Sequence, residues 1–243
     1  MSEKKYVLFI VEGKSDRTFY GEYFNDLISK NNLDLDIKVT GGDILPKKVN
    51  DPVNLIKDAF YEELGKTKLK ETDFVKIIQI CDTDGSYFSE EQFVVDDRKE
   101  YYDKTYLYSP NGNPKIYVRD QESKDHLINN KWKPKYENQG ILSKLKYIRT
   151  SNGKNIPYQI FYVSLFLEHL LKNDPLIDPR DKRDCIENYL DYNDIDSFIE
   201  LLKLKKNSDI YSESWEIIQQ KKGDYTSSSN LNILVDELQN GLI

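Results

Sequence analysis

Short apolar runs that each end in an acidic or glycine turn, with helix-patterned stretches between them, constrain this chain more than any other feature. Tyr6-Val-Leu-Phe-Ile-Val11 is continuous, rich in β-branched residues and closed by Glu12-Gly13. That pattern fits a strand buried on both faces. Ser15 is the expected cap of the following helix, in which Phe19, Tyr20, Tyr23, Phe24, Leu27 and Ile28 recur at helical spacing until Asn31-Asn32. Leu35, Ile37 and Val39 alternate with polar residues up to Gly41-Gly42, which reads as a second strand. Asp51-Pro52 opens a helix over 53–64 that Gly65 should stop, and Phe74–Ile80 forms a third strand running into Cys81-Asp82. Strand, helix, strand, helix, strand implies a parallel sheet with right-handed crossovers. Ligand sites in such sheets lie beyond the carboxyl ends of the strands.

Both acidic clusters, Glu12 and Asp82-Thr83-Asp84, fall at such ends. Magnesium takes hard oxygen ligands, and one or two carboxylates plus substrate oxygens complete its shell. In an extended chain Asp82 and Asp84 share a face and can turn towards one ion. Asp16 follows Glu12 by four residues and returns to the same side after one helical turn, where it could serve a second ion. Either motif alone reads equally as turn residues or caps. Their joint position favours a metal centre.

Residues 86–137 break the alternation and read as an insertion, rich in Tyr, Lys, Asp and Asn. The pattern then predicts a helix near Ile141–Arg149, a strand over Pro157–Ser164 and a helix over Leu165–Lys172. Helices at Cys185–Leu190, Ile195–Leu204, Ser214–Gln220 and Leu231–Leu238 follow. The expected organisation is an α/β domain over 1–172, interrupted by the insertion, and a helical region over 173–243.

Within 243 residues, 18 Tyr and 10 Phe supply the bulk of a core despite a modest apolar fraction. Two distant cysteines and two histidines argue against a disulfide framework or a zinc module. The start of the chain is unlike a signal peptide and no run is long enough to span a bilayer, so a cytoplasmic location is expected. The net charge of −7 does not favour nucleic acid globally, but cations cluster locally. Lys131, Lys133, Lys135, Lys144, Lys146 and Arg149 are interleaved with Trp132, Tyr136 and Tyr147, while Lys14 and Arg17 flank the first acidic motif. They read either as phosphate contacts with stacking rings or as the solvated coat of an exposed insertion.

The run Val7-Leu-Phe-Ile-Val-Glu-Gly-Lys-Ser-Asp-Arg-Thr-Phe-Tyr20, followed by Ile77-Ile-Gln-Ile-Cys-Asp-Thr-Asp-Gly85, resembles a TOPRIM domain. The Val-Glu-Gly-x-x-Asp start is most similar to OLD-type nucleases and to standalone TOPRIM proteins of phage-defence systems. The resemblance covers about residues 5–85, and more weakly 138–172. It implies a Rossmann-like parallel sheet around Mg2+, for which Mn2+ can substitute. It further implies a nuclease that cuts phosphodiester bonds in DNA or RNA, tRNA included. OLD-type relatives place a Ser and a Glu after the last strand. Ser164 and Glu168 resemble that arrangement at one residue's longer spacing, which would give the second ion Glu168 beside Asp16. A nearby Lys is also common, for which Lys221 and Lys222 are candidates. No Walker loop occurs, so the resemblance implies a separately encoded ATPase partner and allows a homodimer. The competing expectation is a catalytically silent TOPRIM module that binds nucleic acid or a protein.

Overall fold

The computed structural model describes residues 4–99, 106–109, 114–176, 181–220, 223 and 226–243. Its centre is a five-stranded sheet built from β1 (Lys5–Val11), β2 (Leu35–Gly41), β3 (Phe74–Asp82), β7 (Tyr147–Arg149) and β8 (Asn155–Val163). The order is β2-β1-β3-β8-β7. The first four strands are mutually parallel, and β7 is antiparallel to β8. The protein is therefore α/β, with a parallel-dominated sheet between helical layers.

Side-chain alternation explains why both faces are covered. Val7, Phe9, Val11, Ile78, Ile80, Phe161 and Val163 point to one side. There they meet α1 (Lys14–Lys30), α5 (Leu167–Lys172), α6 (Lys182–Tyr192), α7 (Ile195–Lys205) and α9 (Leu231–Gln239). Leu8, Ile10, Ile77, Cys81, Tyr158, Ile160 and Tyr162 point to the other, against α2 (Val53–Lys66), α4 (Lys133–Leu142) and α8 (Tyr211–Gln220). Helices following residue 172 thus enclose the sheet on both sides.

Between β3 and α4 lies a small second sheet of β4 (Phe93–Val95), β5 (Tyr106–Tyr108) and β6 (Ile116–Val118), then α3 (Gln121–Leu127) and a π-helical turn over Ile128–Trp132. Phe93, Tyr108, Ile116, Val118 and Trp132 form a core with Leu165 and Phe166, so the insertion packs on the loop after β8.

Several local expectations are corrected. The helix expected over Ile141–Arg149 ends at Leu142, and Tyr147–Arg149 is the antiparallel edge strand, where β-branched Ile148 enters the core. Gly13, not Ser15, caps α1, because its amide hydrogen-bonds the Asp16 carboxylate at 2.6 Å. Gly65 does not stop α2, which continues through Lys66. No helix among the described residues is long and apolar enough to cross a membrane.

Candidate metal centre

The acidic residues are gathered by the carboxyl ends of β1, β3 and β8. Glu12 follows β1 directly, and its Oε1 accepts a 3.2 Å bond from the Asp82 amide. Past Asp82 the chain leaves the sheet. Thr83 and Asp84 donate their amides to the carbonyls of Val163 (2.9 Å) and Leu165 (2.7 Å), which clamps this turn onto the end of β8. Asp84 sits in the left-handed region at φ 46°, a conformation that Asp tolerates better than most residues. Gly85 follows because a Cβ there would lie 2.7 Å from the Trp132 ring.

The turn separates two carboxylates that the Asp-x-Asp spacing places on one face. The reason is that β3 ends at Asp82, so strand alternation no longer governs Asp84. The Asp84 carboxylate meets Lys135 at 2.5 Å, and Lys135 also contacts Glu12 at 2.8 Å. Asp82 has no hydrogen-bond or ion-pair partner for its carboxylate among the described residues. Asp16 and Glu168 lie near it on the α1 and α5 side, where Glu168 pairs with Lys182 at 3.3 Å.

Lys135 corrects the reading of the basic cluster. Grouped by sequence with phosphate-contacting cations, it is instead wholly buried at 0% exposure and inserted between two acids. It also alters the expected ion site. Among the described residues no three Asp, Glu, His or Cys side chains stand in position to hold one ion between them. Between Glu12 and Asp84 the Lys135 ammonium already provides the positive charge.

The centre nonetheless carries surplus negative charge. Six carboxylates, those of Glu12, Asp16, Asp43, Asp82, Asp84 and Glu168, face Lys135 and Lys182, with Lys131 and Lys47 acting on Asp43 at the rim. Burial pushes Glu12 up to about 8 against the opposing pull of Lys135. Burial, then Glu12 and Asp16, hold Asp82 well above the usual carboxylate range. Asp16 is raised by burial and by Glu168, although the Gly13 amide pulls it down. Burial works to lower Lys135, but Asp84 and Glu12 outweigh it and keep the ammonium charged. Uncompensated buried carboxylates of this kind suit a divalent cation with oxygen preference. These carboxylates are oxygen donors of the type magnesium takes, although among the described residues no three of them stand close enough together to share one ion.

Sequence reasoning missed two contributors. Asp43, after β2, is exposed at the rim and is raised by burial and by Asp84. A cavity of about 200 Å3 opens beside it, lined also by Lys47, Asp58 and Glu62. Tyr20 is 2% exposed, its hydroxyl has no partner, and burial followed by Asp16, Asp82 and Glu168 raises it. The Gly-Gly ending of β2 was a signal for Asp43; nothing separated Tyr20 from the other core aromatics.

Ser164 is buried, and its hydroxyl donates to the Thr226 carbonyl at 3.2 Å. His169 is buried beside the Ser164 carbonyl at 3.1 Å and serves the core. Lys14, Arg17, Lys131 and Lys133 are exposed around the acidic end. Arg17 lies against Gly41, and Lys131 acts electrostatically on Asp43. Lys144, Lys146 and Arg149 are exposed along the antiparallel edge of the sheet: Arg149 pairs with Asn155 at the start of β8, and the Lys146 carbonyl accepts from the Tyr158 amide at 3.0 Å. Eight residues of strand separate Asn155, beside Arg149, from Val163, roughly 26 Å at about 3.3 Å per residue. Lys144 and Lys146 line a different cavity, of about 710 Å3, with Trp215. Lys221 and Lys222 lie outside the described residues.

Together these features define an α/β protein with a parallel-dominated sheet and a partly buried acidic centre at its strand ends. Compared with protein-family models, with curated proteins and with solved structures, the chain matches none.

Proposed function

We propose that the protein is a metal-dependent nuclease of TOPRIM type, hydrolysing phosphodiester bonds in DNA or RNA, with tRNA among the candidate substrates. The observation that carries this reading is the gathering of Glu12, Asp82 and Asp84 at the carboxyl ends of adjacent parallel strands, where Glu12 accepts from the Asp82 amide and Lys135 bridges Glu12 to Asp84. Bound there, magnesium would lower the pKa of a water and offset charge on the phosphoryl oxygens. The chain's own residues hold the acidic turn in place through the clamp from Thr83 and Asp84 to β8. Lys14, Arg17, Lys131 and Lys133 are the cations placed to meet a phosphate backbone.

The sequence resemblance further supports a role as the toxic effector of an anti-phage system, with a separate chain supplying the ATPase. Lys135 between Glu12 and Asp84 favours a second reading, a silent TOPRIM module that binds nucleic acid or a partner protein. Incubation with single-stranded DNA, duplex DNA and total tRNA in Mg2+ or Mn2+ separates the two. Cleavage that Asp82→Ala abolishes supports the nuclease. No cleavage of any polymer, or cleavage that survives Asp82→Ala, refutes it.

A further inference from the structure

Strand β7 pairs only with the start of β8, from Asn155 to Pro157. Farther along, the outer edge of β8 is met by side chains. The Tyr211 hydroxyl donates to the Ile160 carbonyl at 2.8 Å and accepts from the Ile160 amide at 3.3 Å. A cavity of about 710 Å3 lies here, between β8, α8 and the loop before β7. Small-molecule sites span about 300–1,000 Å3. Leu145, Pro157, Tyr158 and Trp215 give the cavity an apolar, aromatic wall, which Gln159 completes. The acidic end at Val163 is four residues beyond Gln159, roughly 13 Å at about 3.3 Å per residue.

Two residues of this wall each hold an unserved polar atom. Lys76 and Gln159 share the Glu237 carboxylate, at 2.6 and 2.9 Å. The Gln159 amide therefore has one stable orientation, since turning it over would set its oxygen against the carboxylate. That orientation leaves Oε1 buried with no hydrogen-bond partner among the described residues. Trp215 is 3% exposed, and its Nε1 has no partner among them either. An acceptor and a donor buried unmatched cost free energy, which a ligand with complementary groups recovers. Lys76 and Glu237 neutralise each other, so the exposed Lys144 and Lys146, with Glu216, set the charge of the lining.

We propose that this cavity binds a free nucleoside phosphate, with the base against Trp215 and Gln159 and the phosphate on Lys144 and Lys146. A flat ring suits an aromatic wall. Base edges carry both donors and acceptors, which the Gln159 oxygen and the Trp215 N–H complement. Lysines serve phosphate as point charges. The site stands apart from the acidic centre, so it does not depend on the nuclease reading and the two tests fail independently. A free nucleotide and the end of a polymer share this chemistry, and competition separates them.

Calorimetric titration of the full chain with AMP, GMP, CMP and UMP in EDTA tests the proposal without turnover and without metal-borne phosphate at the acidic end. The expected result is saturable one-to-one binding of at least one of them, with the matching nucleoside about tenfold weaker. Trp215→Phe keeps a ring but loses the N–H, and should weaken binding about threefold to tenfold. Lys144→Glu combined with Lys146→Glu should weaken it by about tenfold or more. Asp82→Ala should leave it unchanged. No binding of any of the four nucleotides overturns the proposal. Binding that survives both the Trp215 and the lysine variants overturns it too, as does binding that Asp82→Ala abolishes. A single-stranded oligonucleotide that displaces the mononucleotide would overturn it in favour of a polymer end. Should Trp215→Phe fail to fold, the variant of the two exposed lysines decides the matter alone.

Discussion

The Asp84 amide donates to the Leu165 carbonyl at 2.7 Å, so the turn that ends β3 and the turn that ends β8 are one structural unit. This bond makes the left-handed backbone of Asp84 affordable and aims its carboxylate at Lys135. Any change that shifts one turn disturbs the acidic centre.

Removal of the buried Lys135 leaves the partly buried Glu12 and Asp84 without their shared cation. Lys135→Met should destabilise the metal-free protein by about 3–5 kcal/mol in urea titration, the range for breaking a buried pair from one side. A loss below about 1 kcal/mol would show that the ammonium does not hold these carboxylates.

Glu12 gives the metal-free protein a pH dependence of definite sign. Its folded pKa of about 8 lies above the ordinary value of 4.5, so the folded state binds this proton more tightly than the unfolded state. The resulting stabilisation is complete below the unfolded pKa and is lost as pH rises through the folded one. Burial raises Asp16 and Asp82 in the same direction, and a divalent ion bound beside them would reverse the trend by replacing their protons. Calorimetry in EDTA and in Mg2+ should show a gain in Tm that is larger at about pH 8.5 than at about pH 6. Equal gains would contradict the protonated, under-neutralised centre.

His169 contributes with the opposite sign. Burial lowers its pKa to about 4, below the ordinary 6.5. Its stabilisation is therefore present above the unfolded pKa and is lost as pH falls through the folded one. Between about pH 7 and pH 4 the wild type should lose roughly 3 kcal/mol more than His169→Gln. Parallel curves for the two proteins would mean that the imidazole is not held neutral.

Gly85→Ala forces a Cβ into the Trp132 ring. The expected cost is about 1–3 kcal/mol, the usual range for overpacking, with a shift in tryptophan emission. An unchanged spectrum and stability would show that the ring has room to move.

The acidic end of the sheet and its antiparallel edge should respond differently to charge reversal. Lys14→Glu or Arg17→Glu should weaken nucleic-acid binding and reduce its salt slope by about 1 per cation removed. Lys144→Glu, Lys146→Glu and Arg149→Glu together should leave the slope unchanged. A smaller slope in that triple variant would place the polymer across the β7 edge of the sheet.

The sheet was readable in the sequence where a single local pattern sufficed. Val7 to Val11 and Phe74 to Asp82 are buried on both faces, so their apolar runs are continuous and end at the acids. The carboxylates were readable for the same reason: strand ends in a parallel sheet converge. Lys135 was not, because a buried lysine and a solvated one look alike until its partners arrive from residues 123 and 51 positions earlier. The three-residue strands of the insertion were equally silent, since three residues are too few to show alternation and their pairing is set by Leu165 and Phe166 from outside the segment.

One feature of β8 bears on how the protein is made. The Tyr162 amide donates to Asn230 Oδ1 at 2.8 Å and the Ser164 amide to the Ser228 carbonyl at 2.9 Å. These partners are synthesised 68 and 64 residues after the strand they secure. At about 5–20 residues per second, a ribosome needs roughly 3–14 s to supply them. During that interval the nascent chain carries Glu12, Asp82 and Glu168 but lacks the residues that lock β8, so the acidic centre is assembled late in translation.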